Sequence, residues 1–225
     1  AALAAVLECA AVVLLAVTTR LEFIRWAGTL EGSAPNAGPM LAGAAWAVEG
    51  LTLTALGLRP GRAHRAVAGL LLLSLAVGGL FTALPMHADI FRPLANLPFL
   101  CWVAVAACWG VAARLLRRSA EIGGPASNAQ AGNAAAFACL MLCGFALHFE
   151  ADAFWRHVLP QAGVRAHNAR LYASMLVIWP AIALTAARTA RDRGVVWRGA
   201  ALVPAAIGVL AALGMLFDRA YLPAS

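Results

Sequence analysis

The sequence contains no lysine, because all 17 of its Lys and Arg residues are arginine. A retinal Schiff base, a lysine-bound pyridoxal phosphate and a phosphate-binding P-loop each need a lysine amine, so these three kinds of site are excluded. Charged residues of any kind are scarce as well, at 12% of the chain, against roughly 25% in a soluble domain. The chain therefore lacks the charge that a water-exposed fold of this length carries.

Hydrophobic residues instead dominate, at 63% of 225 residues, and the mean hydropathy is +0.80. A membrane-spanning helix needs roughly 20 mainly apolar residues. Stretches of this kind occur at residues 1–19, 40–58, 66–86, 94–116, 134–155, 171–190 and 199–217. We predict an all-α polytopic membrane protein with about seven transmembrane helices, joined by polar connectors of which residues 117–133 are the longest and are expected to be a flexible loop.

Arginine is distributed unevenly among these connectors. Cytoplasmic loops of membrane proteins collect basic residues, and the arginines lie mainly in alternate connectors. They are Arg59, Arg62 and Arg65, then Arg114, Arg117 and Arg118, then Arg188, Arg191, Arg193 and Arg198. The pattern predicts that the first residue is cytoplasmic and that the last residue is outside.

Two parts of the sequence resemble each other. Residues 20–26, at the end of the first span, are similar to residues 150–156, at the end of the fifth, and each is followed by a span with a central tryptophan, Trp46 or Trp179, and a basic turn. We therefore predict three units, residues 1–90, 91–133 and 134–225, in a parallel 3+1+3 internal repeat. Glycine and alanine at helical spacing, Gly43 with Ala47 and Gly208 with Ala212, predict close contacts between helices.

Several short segments also resemble a known family. Residues 19–25, 45–51, 56–59 and 68–73 carry a Leu-Glu-x-x-Arg span ending, a tryptophan-containing span, a basic turn and a leucine-rich span. This arrangement resembles a family of long, multi-pass bacterial membrane proteins of unknown function, built from such repeated units. Members often carry a lysine in the span that matches residues 66–86, and this chain has none. The resemblance implies a polytopic inner-membrane protein and no particular activity.

Two carboxylates, Glu8 and Glu49, fall inside apolar spans. An ionised carboxylate is costly in hydrocarbon, so we expect both side chains to face the bundle interior and to be largely protonated at neutral pH. They could form a proton or cation relay, or they could hydrogen-bond neighbouring residues and lock helices together.

A second group of candidate residues lies on the predicted outer side of the membrane. Imidazole and carboxylate side chains together could ligate zinc or copper, and a histidine at the end of a span could ligate haem or another pigment. The residues are His87, His148, Glu150, Asp152, His157 and His167. The alternative is that they are interfacial polar residues that cap helix ends.

The sequence shows no nucleophile–base pair, no phosphate loop and no cofactor lysine. We expect a non-catalytic integral membrane protein, either an accessory or structural subunit of a larger membrane complex or the membrane part of a longer chain. The alternative is a small ion-coupled transporter that uses Glu8 and Glu49. A third interpretation is a membrane enzyme that works at the outer face through His148, Glu150, Asp152 and His157. The expected partners are membrane lipid and other membrane subunits, with no nucleic acid.

Overall fold

A computed structural model describes residues 2–29, 37–59, 62–82, 93–160, 163–190 and 202–221. All regular structure in these residues is helical. In chain order the helices are α1 (Ala2–Thr29), α2 (Ala37–Gly57), α3 (Ala63–Thr82), α4 (Leu97–Glu121), α5 (Ala126–Val158), α6 (Val164–Ala190) and α7 (Leu202–Tyr221). The predicted all-α fold is therefore confirmed, with one helix at each of the seven predicted positions.

Five of the helices, α2 to α6, are long and apolar enough to cross a membrane. Helix α1 is not in this set, and its described part carries Arg20, Glu22 and Arg25. The described apolar stretch of α7, Leu202–Gly214, is shorter than a span. Length and composition therefore support a polytopic membrane protein with at least these five candidate spans.

The connector predicted over residues 117–133 is wrong in extent. Helix α4 continues to Glu121 and α5 already begins at Ala126, so the described connection is only residues 122–125. Gly123 ends α4 in the left-handed region, with φ of +92°, a conformation that glycine adopts without steric cost. Hydropathy missed these helical turns because polar and small residues continue a helix after the apolar stretch has ended.

The start of α4 also differs from the prediction, at Leu97 rather than residue 94. The Asn96 side chain accepts a hydrogen bond from the Phe99 backbone N–H (2.9 Å), and a proline stands in the first turn. Asparagine at this position satisfies a backbone donor that the first helical turn leaves free. The cap therefore sets the beginning of this helix.

The chain divides into two compact units, which are described separately: unit 1 comprises residues 1–90 and 95–139, and unit 2 comprises residues 91–94 and 140–225. In unit 1, α2 packs against α1, α3 and α4. The three-part division predicted from the sequence remains a prediction.

The contact between α2 and α3 is made by small residues. A Cβ at Gly50 would lie 2.7 Å from the Gly69 carbonyl oxygen, and one at Gly43 would lie 3.2 Å from the Ala76 carbonyl oxygen. Glycine at these positions allows the two backbones to touch, and close backbone approach is a common source of helix association in membranes. The predicted close contact at Gly43 is confirmed.

Unit 2 is organised around Trp179 of α6, which is 1% exposed. The ring lies against Gly144 of α5 and makes an edge contact with Phe145, with ring centroids 5.1 Å apart. Gly208 of α7 also faces Trp179 and Pro180, because a Cβ at Gly208 would lie 3.5 Å from the proline ring. The predicted close contact at Gly208 is therefore also confirmed.

Candidate functional site

Glu8 of α1 lies against the first turn of α3. The Arg65 Nε–H donates to Glu8 Oε2 (2.8 Å), and Arg65 Nη2 donates to Glu8 Oε1. His64 Nε2 lies 2.6 Å from the same Oε2. The guanidinium thus holds the carboxylate through two parallel hydrogen bonds, the strongest geometry that arginine offers to a carboxylate.

This arrangement corrects the expectation that Glu8 is protonated. Arginine keeps its charge in proteins, and a bidentate pair favours the ionised carboxylate over the neutral acid. The nearest arginine in the sequence is Arg20, whereas the partner that the fold supplies is Arg65, 57 residues away. Distance along the sequence therefore did not identify the charged group that lies next to Glu8.

A cavity of about 200 Å³ opens beside this cluster. Three of its lining side chains are ionisable and partly exposed, at 26% for Arg65, 36% for His64 and 37% for Glu8. The others are Ala11, Val12, Leu53 and Ala68, from α1, α2 and α3. The cavity lining therefore combines a charged cluster with apolar side chains.

Glu49 of α2 faces α1 and occupies a different environment. The Thr19 hydroxyl donates to Glu49 Oε1 (2.8 Å), whereas Glu49 Oε2 is buried and has no hydrogen-bond partner among the described residues. The hydrogen bond places Glu49 between α1 and α2, and the expected protonation of Glu49 remains a prediction.

Trp46 supplies a further tie between α1 and α2. The indole N–H donates to the Ala16 carbonyl oxygen (2.7 Å), and the Arg20 guanidinium lies over the indole ring, 5.9 Å from its centroid. The sequence indicated only that this tryptophan lies within a span. Its hydrogen bond to a backbone carbonyl of another helix has no signal in the sequence.

The structure brings together two of the predicted outer-side residues. Asp152 of α5 accepts from Arg156 Nε–H (3.0 Å), and its other oxygen lies 2.8 Å from His167 Nε2 of α6. Next to this pair, the Trp155 indole N–H donates to the Ser174 hydroxyl (3.0 Å). These contacts connect the end of α5 to the first turns of α6.

The other residues predicted as metal or pigment ligands lie in different environments. Glu150, 9% exposed, accepts from the Leu94 backbone N–H (2.6 Å). His148 is partly buried and its Nδ1 has no described partner, while His157 is exposed. His87 lies outside the described residues.

No three histidine, cysteine or acidic side chains converge in a way that could hold a metal ion within the described part of the chain. The predicted outer-side residues that can be placed include one ion-pair cluster, Asp152 with Arg156 and His167. The metal or pigment site remains a prediction.

Comparison of this chain with protein-family models, curated proteins and solved structures found no match. The resemblance to long multi-pass bacterial membrane proteins therefore rests on the short sequence segments alone.

Proposed function

We propose that this chain is a non-catalytic integral membrane protein that acts through helix packing, as an accessory or structural subunit of a larger complex or as the membrane part of a longer chain. One observation carries this proposal: polar side chains within the helices of unit 1 are used to join one helix to another. Glu8 pairs with Arg65, Glu49 accepts from Thr19, and Trp46 donates to α1. Interhelical hydrogen bonds and paired charges of this kind stabilise helix bundles in an apolar solvent.

The proposal includes seven spans, a cytoplasmic start and an outside end in a bacterial inner membrane. The arginine distribution supports the orientation. The parallel 3+1+3 repeat is supported by the sequence alone, through the similarity of residues 20–26 to residues 150–156 and the central tryptophan, Trp46 or Trp179, of the helix that follows each.

Isolation in a mild detergent tests the subunit role. We expect the intact chain to co-purify with a stoichiometric membrane partner, and Glu49→Gln to retain that partner because the amide keeps an oxygen that accepts from Thr19. Glu22→Gln, at an exposed position of α1, serves as a matched control. A chain that remains monodisperse and without partner in several mild detergents would reject the subunit role.

A second candidate function is a small ion-coupled carrier, and Glu49 is the observation that favours it. A buried carboxyl with one oxygen unpartnered can accept and release a proton without breaking an ion pair. In this case Glu49→Gln abolishes pH-dependent uptake into proteoliposomes although the protein still folds. Uptake that persists in Glu49→Gln would reject the carrier role for this residue.

A further inference from the structure

The turn that leads into α3 concentrates positive charge beside the cavity. Arg59 and Arg62 are exposed, and Arg65 lines the cavity. Backbone hydrogen bonds at three-residue spacing connect the three residues, from Arg62 N–H to the Arg59 carbonyl (3.2 Å) and from Arg65 N–H to the Arg62 carbonyl (2.9 Å). Three arginine backbones are therefore held close together at one end of the α2–α3 hairpin.

The described ion pairs neutralise only part of this charge. Glu8 is paired with Arg65 and His64, while Arg59 and Arg62 make no ion pair with a described residue. Three arginines and one glutamate leave the cluster with two excess positive charges when His64 is neutral. Glu8 also takes only two of the five N–H donors of Arg65, so the guanidinium keeps donors for another anion.

The position of the cluster relates it to the membrane. Helix α3 is one of the five helices that could cross a membrane, from Ala63 to Phe81, and Arg65 lies in its first turn. That end of an apolar helix lies at the depth of the lipid headgroups. The apolar walls of the cavity, Val12, Leu53 and Ala68 among them, continue inward from the guanidinium.

We propose that Arg59, Arg62, Arg65 and His64, together with the adjoining cavity, bind one anionic phospholipid, with its phosphate at the arginines and its glycerol or proximal acyl carbons in the cavity. Basic pockets between membrane helices recognise anionic headgroups in this way. The walls of Ala, Val and Leu favour a lipid over free phosphate, because inorganic phosphate leaves the apolar part of the cavity unfilled. Glu8 then acts as an internal anion that competes with the lipid phosphate for Arg65. The site goes beyond the proposed subunit role and does not depend on it.

Native mass spectrometry of the delipidated full chain tests this proposal. The protein is titrated with phosphatidylglycerol and, separately, with phosphatidylcholine of the same acyl chains. We expect tighter binding of phosphatidylglycerol and about a fivefold loss for Arg62→Gln, since one arginine near an anionic lipid contributes about 1 kcal/mol. Arg25→Gln removes the same charge at an exposed position near the far end of α1 and is expected to leave binding unchanged.

Two further variants distinguish this site from a general basic surface. Glu8→Gln removes the competing anion and is expected to raise the affinity for phosphatidylglycerol several-fold, whereas a purely structural role for the pair predicts no gain. Ala68→Phe fills the cavity and is expected to weaken the binding of phosphatidylglycerol, because the glycerol or proximal acyl carbons then have no space. If Glu8→Gln fails to fold, Arg59→Gln, at an exposed position, removes one positive charge as Arg62→Gln does and is expected to weaken phosphatidylglycerol binding in the same way.

Three results would overturn the proposal. The first is equal binding of the two lipids, and the second is an equal loss in Arg62→Gln and Arg25→Gln. The third is displacement of phosphatidylglycerol by millimolar inorganic phosphate, which would reduce the site to a phosphate site. None of these results bears on whether the chain co-purifies with a protein partner, so failure of this inference is distinguishable from failure of the subunit role.

Discussion

Replacement of Gly50 by alanine is the most direct test of the α2–α3 contact. The new Cβ would lie 2.7 Å from the Gly69 carbonyl oxygen and 2.9 Å from the Leu73 backbone nitrogen. Both are backbone atoms, so no side-chain rotation relieves the overlap. Ordinary van der Waals contact begins at about 3.4 Å, and the helices must therefore separate by about 0.7 Å at this point.

The magnitude follows from two opposing effects. Forcing an extra methyl group into a well-packed contact costs about 1–3 kcal/mol. Alanine improves intrinsic helix propensity over glycine by roughly 1 kcal/mol, which offsets part of that cost. We expect Gly50→Ala to lower the free energy of unfolding by about 1 kcal/mol, the middle of the resulting range of roughly 0–2 kcal/mol.

Gly78 of α3 provides a matched control. A Cβ there meets no atom within 4 Å, so Gly78→Ala has only the propensity gain and is expected to be neutral or slightly stabilising. Unfolding of both variants is followed by tryptophan fluorescence while the fraction of sodium dodecyl sulfate in mixed micelles is raised. An unchanged midpoint for Gly50→Ala, or an equal loss for both variants, would refute the packing argument.

Three other predictions concern charge, orientation and backbone strain. Glu49→Gln is expected to leave unfolding midpoints nearly unchanged, and infrared spectra that show Glu49 ionised at neutral pH would contradict the protonated state expected here. Cysteine at Ser127 should resist an impermeant thiol reagent added from outside, while cysteine at Ser33, which lies outside the described residues, should react; the opposite pattern reverses the orientation. Leu94 has φ of +60°, so Leu94→Gly is expected to raise stability by up to about 1 kcal/mol, and a lower thermal midpoint would argue against strain at this residue.

The helices could be predicted from hydropathy, but their ends could not. Apolar stretches of about 20 residues identify candidate spans because the bilayer requires them. Helix ends depend instead on local hydrogen bonds, such as the Asn96 cap of α4 and the left-handed Gly123 that follows it. These contacts involve one or two residues and leave little trace in an average over a window, which is why the predicted loop of residues 117–133 proved mostly helical.

The same limit of prediction from sequence applies to the side-chain contacts of the candidate sites. Asp152 and His167 were predicted on one side of the membrane, and the structure pairs them at 2.8 Å. Glu8 was expected to be largely protonated, yet Arg65 pairs with it through two hydrogen bonds. The chain reverses direction after each helix. Residues that are far apart in the sequence can therefore meet at the same depth in a bundle.

The sequence by itself determined the class of protein and the chemistry that is excluded. Scarce charge and long apolar stretches require helices in an apolar solvent, since only there are all backbone groups satisfied within one segment. The absence of lysine rules out every site that needs its amine. Only the tertiary structure decided which polar groups meet, because the partner of a buried charge is selected by helix packing. It joined Glu8 to Arg65, left one oxygen of Glu49 without a described partner, and placed a cavity beside the Glu8–Arg65 pair.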